Sequence, residues 1–414
     1  MGTLTVIDTT RLRNAADSAA DVLVANAITD DGRACWLGAT VDWVGDGLGV
    51  LHRTGDPTLY DGTAGIAIAS WSVAAELGRD ELAEVAIAAA RHAVSARDRL
   101  GGIGLFDGSA GVGLAAVEVG SGAGDERLRR DGVRVMEAVA EAPPSDVDLI
   151  SGSAGIVLAL LAVARRTRSD RWLDPAIRHG EHLLAAAERY PFWCWPVPVA
   201  GGAALCGMAH GAAGIAWALG ELASVTGDDR FRDAMNGARR YERSRFQPEN
   251  NNWPDLRPET SPPGSPAVCP ALWCHGATGI GLSRLALLRL DDHPAIAAEA
   301  ASALQSAAAA ATGSLEGYPH EGLTVCHGLG GTLLLLLAAN HVLGEPEHLV
   351  AARWVAARAL DRLGDDAAAW PSGIQGGGFS PGLMTGLAGS MYALARVANP
   401  TGTRALPVLG EHAT

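Results

Sequence analysis

Leu272-Trp273-Cys274-His275-Gly276-Ala277-Thr278-Gly279 joins two potential metal ligands to a Gly-x-x-Gly turn, and that turn recurs along the chain. One repeat, Val325-Cys326-His327-Gly328-Leu329-Gly330-Gly331, carries the cysteine and histidine again. Without cysteine the turn reappears as Asp61-Gly62-Thr63-Ala64-Gly65, Asp107-Gly108-Ser109-Ala110-Gly111, Ser151-Gly152-Ser153-Ala154-Gly155, His210-Gly211-Ala212-Ala213-Gly214 and Thr385-Gly386-Leu387-Ala388-Gly389, making seven copies. Their first glycines are separated by 46, 44, 59, 65, 52 and 58 residues, room for two helices and two loops each time.

Each turn opens into a segment that is apolar on all sides, at 66–77, 112–119, 156–164, 215–225, 280–290, 332–343 and 390–397. Such helices belong in an interior. Between them run amphipathic stretches, at 81–96, 126–141, 170–189, 294–311 and 348–363, and another begins the chain at about 10–27. A polar loop follows that first helix, and two loops rich in Pro, Gly and aromatic residues interrupt the pattern at 191–209 and 247–271. Repeated helix pairs can build an open solenoid or a closed ring. The all-apolar inner helices favour the ring: an all-α, (α/α) toroid of about seven outer/inner helix pairs, occupying 1–414 as a single domain.

The net charge of −14 and pI near 5.3 argue against a nucleic-acid or anionic-membrane surface, which calls for a basic patch. Six cysteines in 414 residues are too few for a disulfide scaffold, and no run near Met1 resembles a signal peptide, so the expected compartment is the reducing cytoplasm. Apolar runs such as 333–339 fall far short of the roughly 20 residues of a membrane span.

A glycine pair at a helix entrance permits a tight turn and close packing. The residue before the first glycine then stands at or near the N-cap, and Asp61, Asp107, Ser151 and Thr385 suit that position. His210, His275 and His327 do not belong to the preferred capping set. In a toroid every inner helix starts at the same end, so the three histidines converge on one cavity mouth, and Cys274 and Cys326 arrive with them. Cys274, Cys326 and His327 supply two thiolates and an imidazole, a soft set suited to Zn²⁺ that leaves a fourth tetrahedral position for water or substrate. His275 is an alternative ligand, but Cys274 already reaches the metal from that turn, so a supporting or acid-base role is expected of it.

At these residues the sequence resembles the lanthionine synthetase C-like family, the lanthipeptide cyclases and their eukaryotic relatives. The marks are Trp-Cys-His-Gly at 273–276, Cys-His-Gly at 326–328, Ala-His-Gly at 209–211 and Asp148-Leu-Ile-Ser-Gly152. The resemblance implies an α/α toroid with a central zinc held by Cys274, Cys326 and His327, with His210 as the catalytic acid-base histidine and Asp148 as a functional carboxylate near it. It also implies addition of a peptide cysteine thiol to dehydroalanine or dehydrobutyrine, on a dehydrated precursor peptide of leader plus Ser/Thr/Cys-rich core. Dehydration then falls to a separate dehydratase or kinase/lyase, because no such segment is visible in this chain. Two departures stand out: Cys269 and Pro270 lie where relatives often carry arginine, and His275 lies where many bacterial cyclases have tyrosine. The alternatives are a zinc-containing glutathione- or peptide-binding relative without cyclase activity, and prenyltransferase-like thiol alkylation. The latter needs a basic diphosphate pocket, for which Arg284 alone stands near the turns.

Overall fold

The computed structural model describes residues 9–44, 47–261, 264–316 and 322–411. A first helix, α1 (Thr9–Ala25), is followed by two antiparallel hairpins, β1 (Ile28–Asp30) with β2 (Arg33–Cys35) and β3 (Leu37–Val44) with β4 (Gly47–Thr54). Helix pairs then alternate inner and outer: α2 (Thr63–Leu77) and α3 (Asp80–Ala96), α4 (Ser109–Ala123) and α5 (Glu126–Glu141), α6 (Ser153–Thr167) and α7 (Leu173–Ala186), α8 (Ala212–Thr226) and α9 (Asp229–Arg245). They continue with α10 (Ala277–Leu288) and α11 (Pro294–Glu316), then α12 (Leu329–Leu343) and α13 (Pro346–Leu363). The last inner helix, α14 (Leu387–Ala398), takes α1 as its outer partner and packs against α2, so the chain's two ends close the circle. Inner helices bury nearly every residue, Leu333 to Leu337 of α12 for example. Outer helices bury one face, as α5 does with Leu128, Val135, Met136 and Val139.

The closure is written in backbone hydrogen bonds. Two or three residues before each first glycine, the chain is linked to the next turn: Tyr60 N–H donates to Phe106 O (2.8 Å), Phe106 to Ile150 (2.9 Å), Leu149 to Ala209 (3.1 Å) and Ala209 to Cys274 (3.2 Å). Trp273 donates to Cys326 (3.2 Å), Cys326 to Met384 (2.9 Å), and Met384 returns to Tyr60 O (2.9 Å). Seven turns therefore form a ring bonded head to tail. The second glycine of each turn makes room for the ring: a Cβ on Gly111 would come within 2.6 Å of Leu59 Cβ on the preceding turn, and one on Gly279 within 2.6 Å of Met208 Cβ.

The capping expectation fails, and the main chain shows why. The first amide of each inner helix is already taken by a carbonyl of the preceding loop, as Thr63 N–H by Asp56 O (2.8 Å) and Ser153 N–H by Asp146 O (2.9 Å). The cap residues are the glycines themselves, with no side-chain capping bond. Asp61 instead accepts from the Thr385 amide (2.9 Å) and hydroxyl, and Asp107 accepts from the Ser151 hydroxyl (2.5 Å), so these side chains tie neighbouring turns together. Asp61→Ala, which leaves two Thr385 donors without their carboxylate, is expected to cost about 1.5–3 kcal/mol of stability in chemical denaturation while metal content is kept. An unchanged midpoint would remove Asp61 from the closure.

The structure makes two further corrections. The segment read as a polar loop forms the hairpins, β3 and β4 pairing from Leu37↔Thr54 to Val44↔Gly47, with the Ala39 amide bonded to Phe379 O (3.0 Å). Helix α9, unmarked in the sequence pattern, supplies the outer partner of α8.

Candidate metal centre and acid-base pair

The ring places seven residues at one register, two before each first glycine: Tyr60, Phe106, Ile150, Ala209, Cys274, Cys326 and Met384. Two neighbouring turns carry cysteine there, and the Trp273–Cys326 backbone bond holds those turns side by side. The thiol sulfurs of Cys274 and Cys326 and a ring nitrogen of His327 all lie within 4.8 Å of one another. Both cysteines are buried free thiols, and His327 is exposed. Around one tetrahedral Zn²⁺, Zn–S near 2.3 Å and Zn–N near 2.0–2.1 Å put such donors roughly 3.5–3.8 Å apart. The three residues fit that ion in donor type and spacing.

Their electrostatics are already polarised. Hydrogen bonds from Cys326 and His327 hold the Cys274 thiol well below its ordinary range against the opposing effect of burial. Burial, joined by the charge on Cys274, pushes the Cys326 thiol well above its own. Partial desolvation of the His327 ring resists its charge, but the hydrogen bond to Cys274 together with the negative charges of Cys274 and Asp61 outweighs that and raises its pKa. A divalent cation held by these three residues would take the place of the protons on the thiols and the ring.

Asp148 and His210 come together from adjacent turns. The carboxylate accepts from the Ser151 amide (2.8 Å) through one oxygen and lies 2.5 Å from His210 Nδ1 through the other. Asp148 is buried, whereas the His210 side chain keeps 23% exposure, and its Nε2 takes no partner among the described residues. A carboxylate on Nδ1 fixes the ring and its tautomer, so Nε2 is the nitrogen that can exchange a proton with a substrate.

His275 occupies the same place in its turn but a different environment. Gly276 sits at φ +80°, a conformation that favours glycine, and an added Cβ would lie 1.7 Å from Pro270 O. His275 is buried, with Nδ1 unpartnered and 4.0 Å from Asp255, beyond hydrogen-bond reach. Burial lowers its pKa. Asp255 in turn pairs with Arg257 (2.6 Å). Neither Asp255 nor Arg257 was visible as a site residue, because both come from the 247–271 loop with no repeat register to mark them. Tyr60 was also missed, though its register with Cys274 and Cys326 is legible once the turns are aligned. Its hydroxyl donates to Cys326 Sγ at 3.0 Å.

A cavity of about 540 Å³ opens beside His327, lined among others by Thr324, Trp370, Ile374, Phe379 and Ser380. Arg284 does not reach it. Fully buried, it is bound to Glu242 and Glu299 (2.6 Å to the latter), so it offers no cation to a diphosphate. Among the described residues no helix is long and apolar enough to cross a membrane.

A family model described as lanthionine synthetase C-like protein matches residues 53–409. Among solved structures the chain is similar to nisin cyclase, at 17% identity over 86% of this chain and 92% of that one, with a TM-score of 0.64. It is also similar to a glycoside hydrolase family 76 mannosidase from Bacteroides thetaiotaomicron (11% identity, 85% and 99% covered, TM-score 0.44) and to a sugar epimerase from a ruminal bacterium (10%, 94% and 98%, TM-score 0.47). No curated protein matches the sequence.

Proposed function

Because the chain belongs to the lanthionine synthetase C-like family, we propose that it is a zinc-dependent lanthipeptide cyclase, closing thioether rings in a dehydrated peptide. The observation that carries this reading is the juxtaposition of a soft, three-donor cluster, Cys274, Cys326 and His327, with a carboxylate-held histidine on the same ring of turns. Bound by those three residues, zinc would hold an incoming cysteine as its thiolate at neutral pH, where a free thiol of pKa near 8.5 is mostly protonated.

The remaining chemistry falls to the chain's own groups. As the thiolate sulfur bonds to the β-carbon of dehydroalanine or dehydrobutyrine, the alkene electrons move to the neighbouring carbonyl as an enolate, and one proton must return to the α-carbon. His210 supports that delivery, since Asp148 steadies Nδ1 and leaves Nε2 to carry the proton. The thiol proton lost at the start balances the one gained, so substrate and product are isomers. His275, buried and without a carboxylate in hydrogen-bond reach of its Nδ1, lacks the orienting partner that His210 has and is assigned to supporting Cys274.

The substrate would be a precursor peptide dehydrated by a separate enzyme. The direct experiment incubates the zinc-loaded protein with a dehydrated, cysteine-containing peptide and follows free thiols by alkylation and mass spectrometry. Loss of alkylatable thiol at constant peptide mass, stopped by a chelator, is the expected result. Thiols that persist across a panel of such peptides would turn the assignment toward a peptide-binding role.

A further inference from the structure

Tyr60 stands in the same register as the two cysteines, on the first turn, and is held there from several directions. Its amide donates to Phe106 O and its carbonyl accepts from Met384, so its backbone is a link of the ring. Its ring meets Phe106 edge to face at 6.4 Å, and Phe106 meets Trp273 at 5.4 Å, the residue before Cys274. Phe106 and Trp273 are fully buried. The aromatic chain therefore runs from the first turn to the fifth and aims the Tyr60 hydroxyl at Cys326 Sγ, 3.0 Å away on the sixth. Most tyrosines that only fill a core find a carbonyl or water for their hydroxyl. This one finds a sulfur of the metal cluster.

We propose that Tyr60 is a positioning residue of the metal centre: its hydroxyl fixes the Cys326 sulfur and draws charge from it, leaving a bound metal more electrophilic toward the substrate thiol. The proposal rests on the zinc reading above. A phenol of ordinary pKa near 10 is protonated at neutral pH and is a donor. Its partner, once metal-bound, is a thiolate, and a hydrogen bond to a charged acceptor is about twice as strong as a neutral one. Charge withdrawn from Cys326 is charge the sulfur no longer donates, and the metal recovers it from its remaining ligands, including the thiol that is to be activated. Outer groups of this kind typically govern metal affinity or activity by about 10- to 100-fold.

The test replaces zinc by cobalt(II) in the full-length protein and compares wild type with Tyr60→Phe, which keeps the ring against Phe106 and removes only the hydroxyl. A hydrogen bond stabilises the sulfur lone pairs, so its loss is expected to move the sulfur-to-cobalt charge-transfer band to longer wavelength. Metal stoichiometry and melting should be kept, and ring closure should slow by about 10-fold or more. A purely structural tyrosine would leave the band in place. Superposable spectra overturn the proposal while the metal site stands; absence of any thiolate-to-cobalt band in the wild type overturns the metal reading and the proposal with it.

Discussion

Replacing Cys274 and Cys326 together by alanine is expected to remove stoichiometric zinc and abolish ring closure, because it takes both soft donors from a three-donor cluster and leaves His327 alone. Each single variant should keep part of the metal, water filling the vacant position, with activity lost in both. The fold should survive, since the backbone links at these positions run through Trp273 N–H, Cys326 N–H and their carbonyl partners, which alanine preserves. Metal analysis of the purified variants beside circular dichroism checks the prediction. Stoichiometric zinc in the double variant would place the metal elsewhere.

His210→Asn separates proton transfer from metal binding. General acid-base groups contribute about 10²- to 10⁴-fold, so ring closure should slow by that order while zinc and fold remain. The same variant should still bind and deprotonate the substrate thiol, because the residues proposed to do so are Cys274, Cys326 and His327. Asp148→Asn should slow closure as well: the amide can still accept from the Ser151 amide but no longer offers a full charge to His210 Nδ1. Release of zinc by His210→Asn would make that histidine a ligand. A wild-type rate would move proton delivery to another group, with His275 the nearest candidate by register.

The glycine turns made the toroid legible because they impose a local requirement, close backbone approach, that recurs in register with the chain. The same register announced Cys274, Cys326 and the three histidines, and it marks Tyr60 too once position rather than residue type is followed. Asp61, Asp107, Ser151 and Thr385 looked like caps because a cap is a local device. Their actual partners lie 44 residues apart for Asp107 and Ser151, and 324 apart for Asp61 and Thr385. Such contacts exist only after the ring closes. The β3–β4 hairpin was within reach, since Leu37, Ala39, Val41 and Trp43 alternate with smaller or polar residues and Gly45-Asp46 separates the two runs. The Asp255–Arg257 pair under His275 was not, because an irregular loop carries no period from which a side chain's destination could be read.

The proposed centre is a metal held by two thiolates and an imidazole with one position open to a substrate thiol. Zinc K-edge absorption on the purified protein, before and after adding excess cysteine-containing peptide, tests this most directly. The expected result is one zinc per chain with two sulfurs and one imidazole nitrogen in its shell, the sulfur count rising to three when the peptide is present. A shell already complete with four protein ligands, or a sulfur count unmoved by saturating thiol, would contradict it.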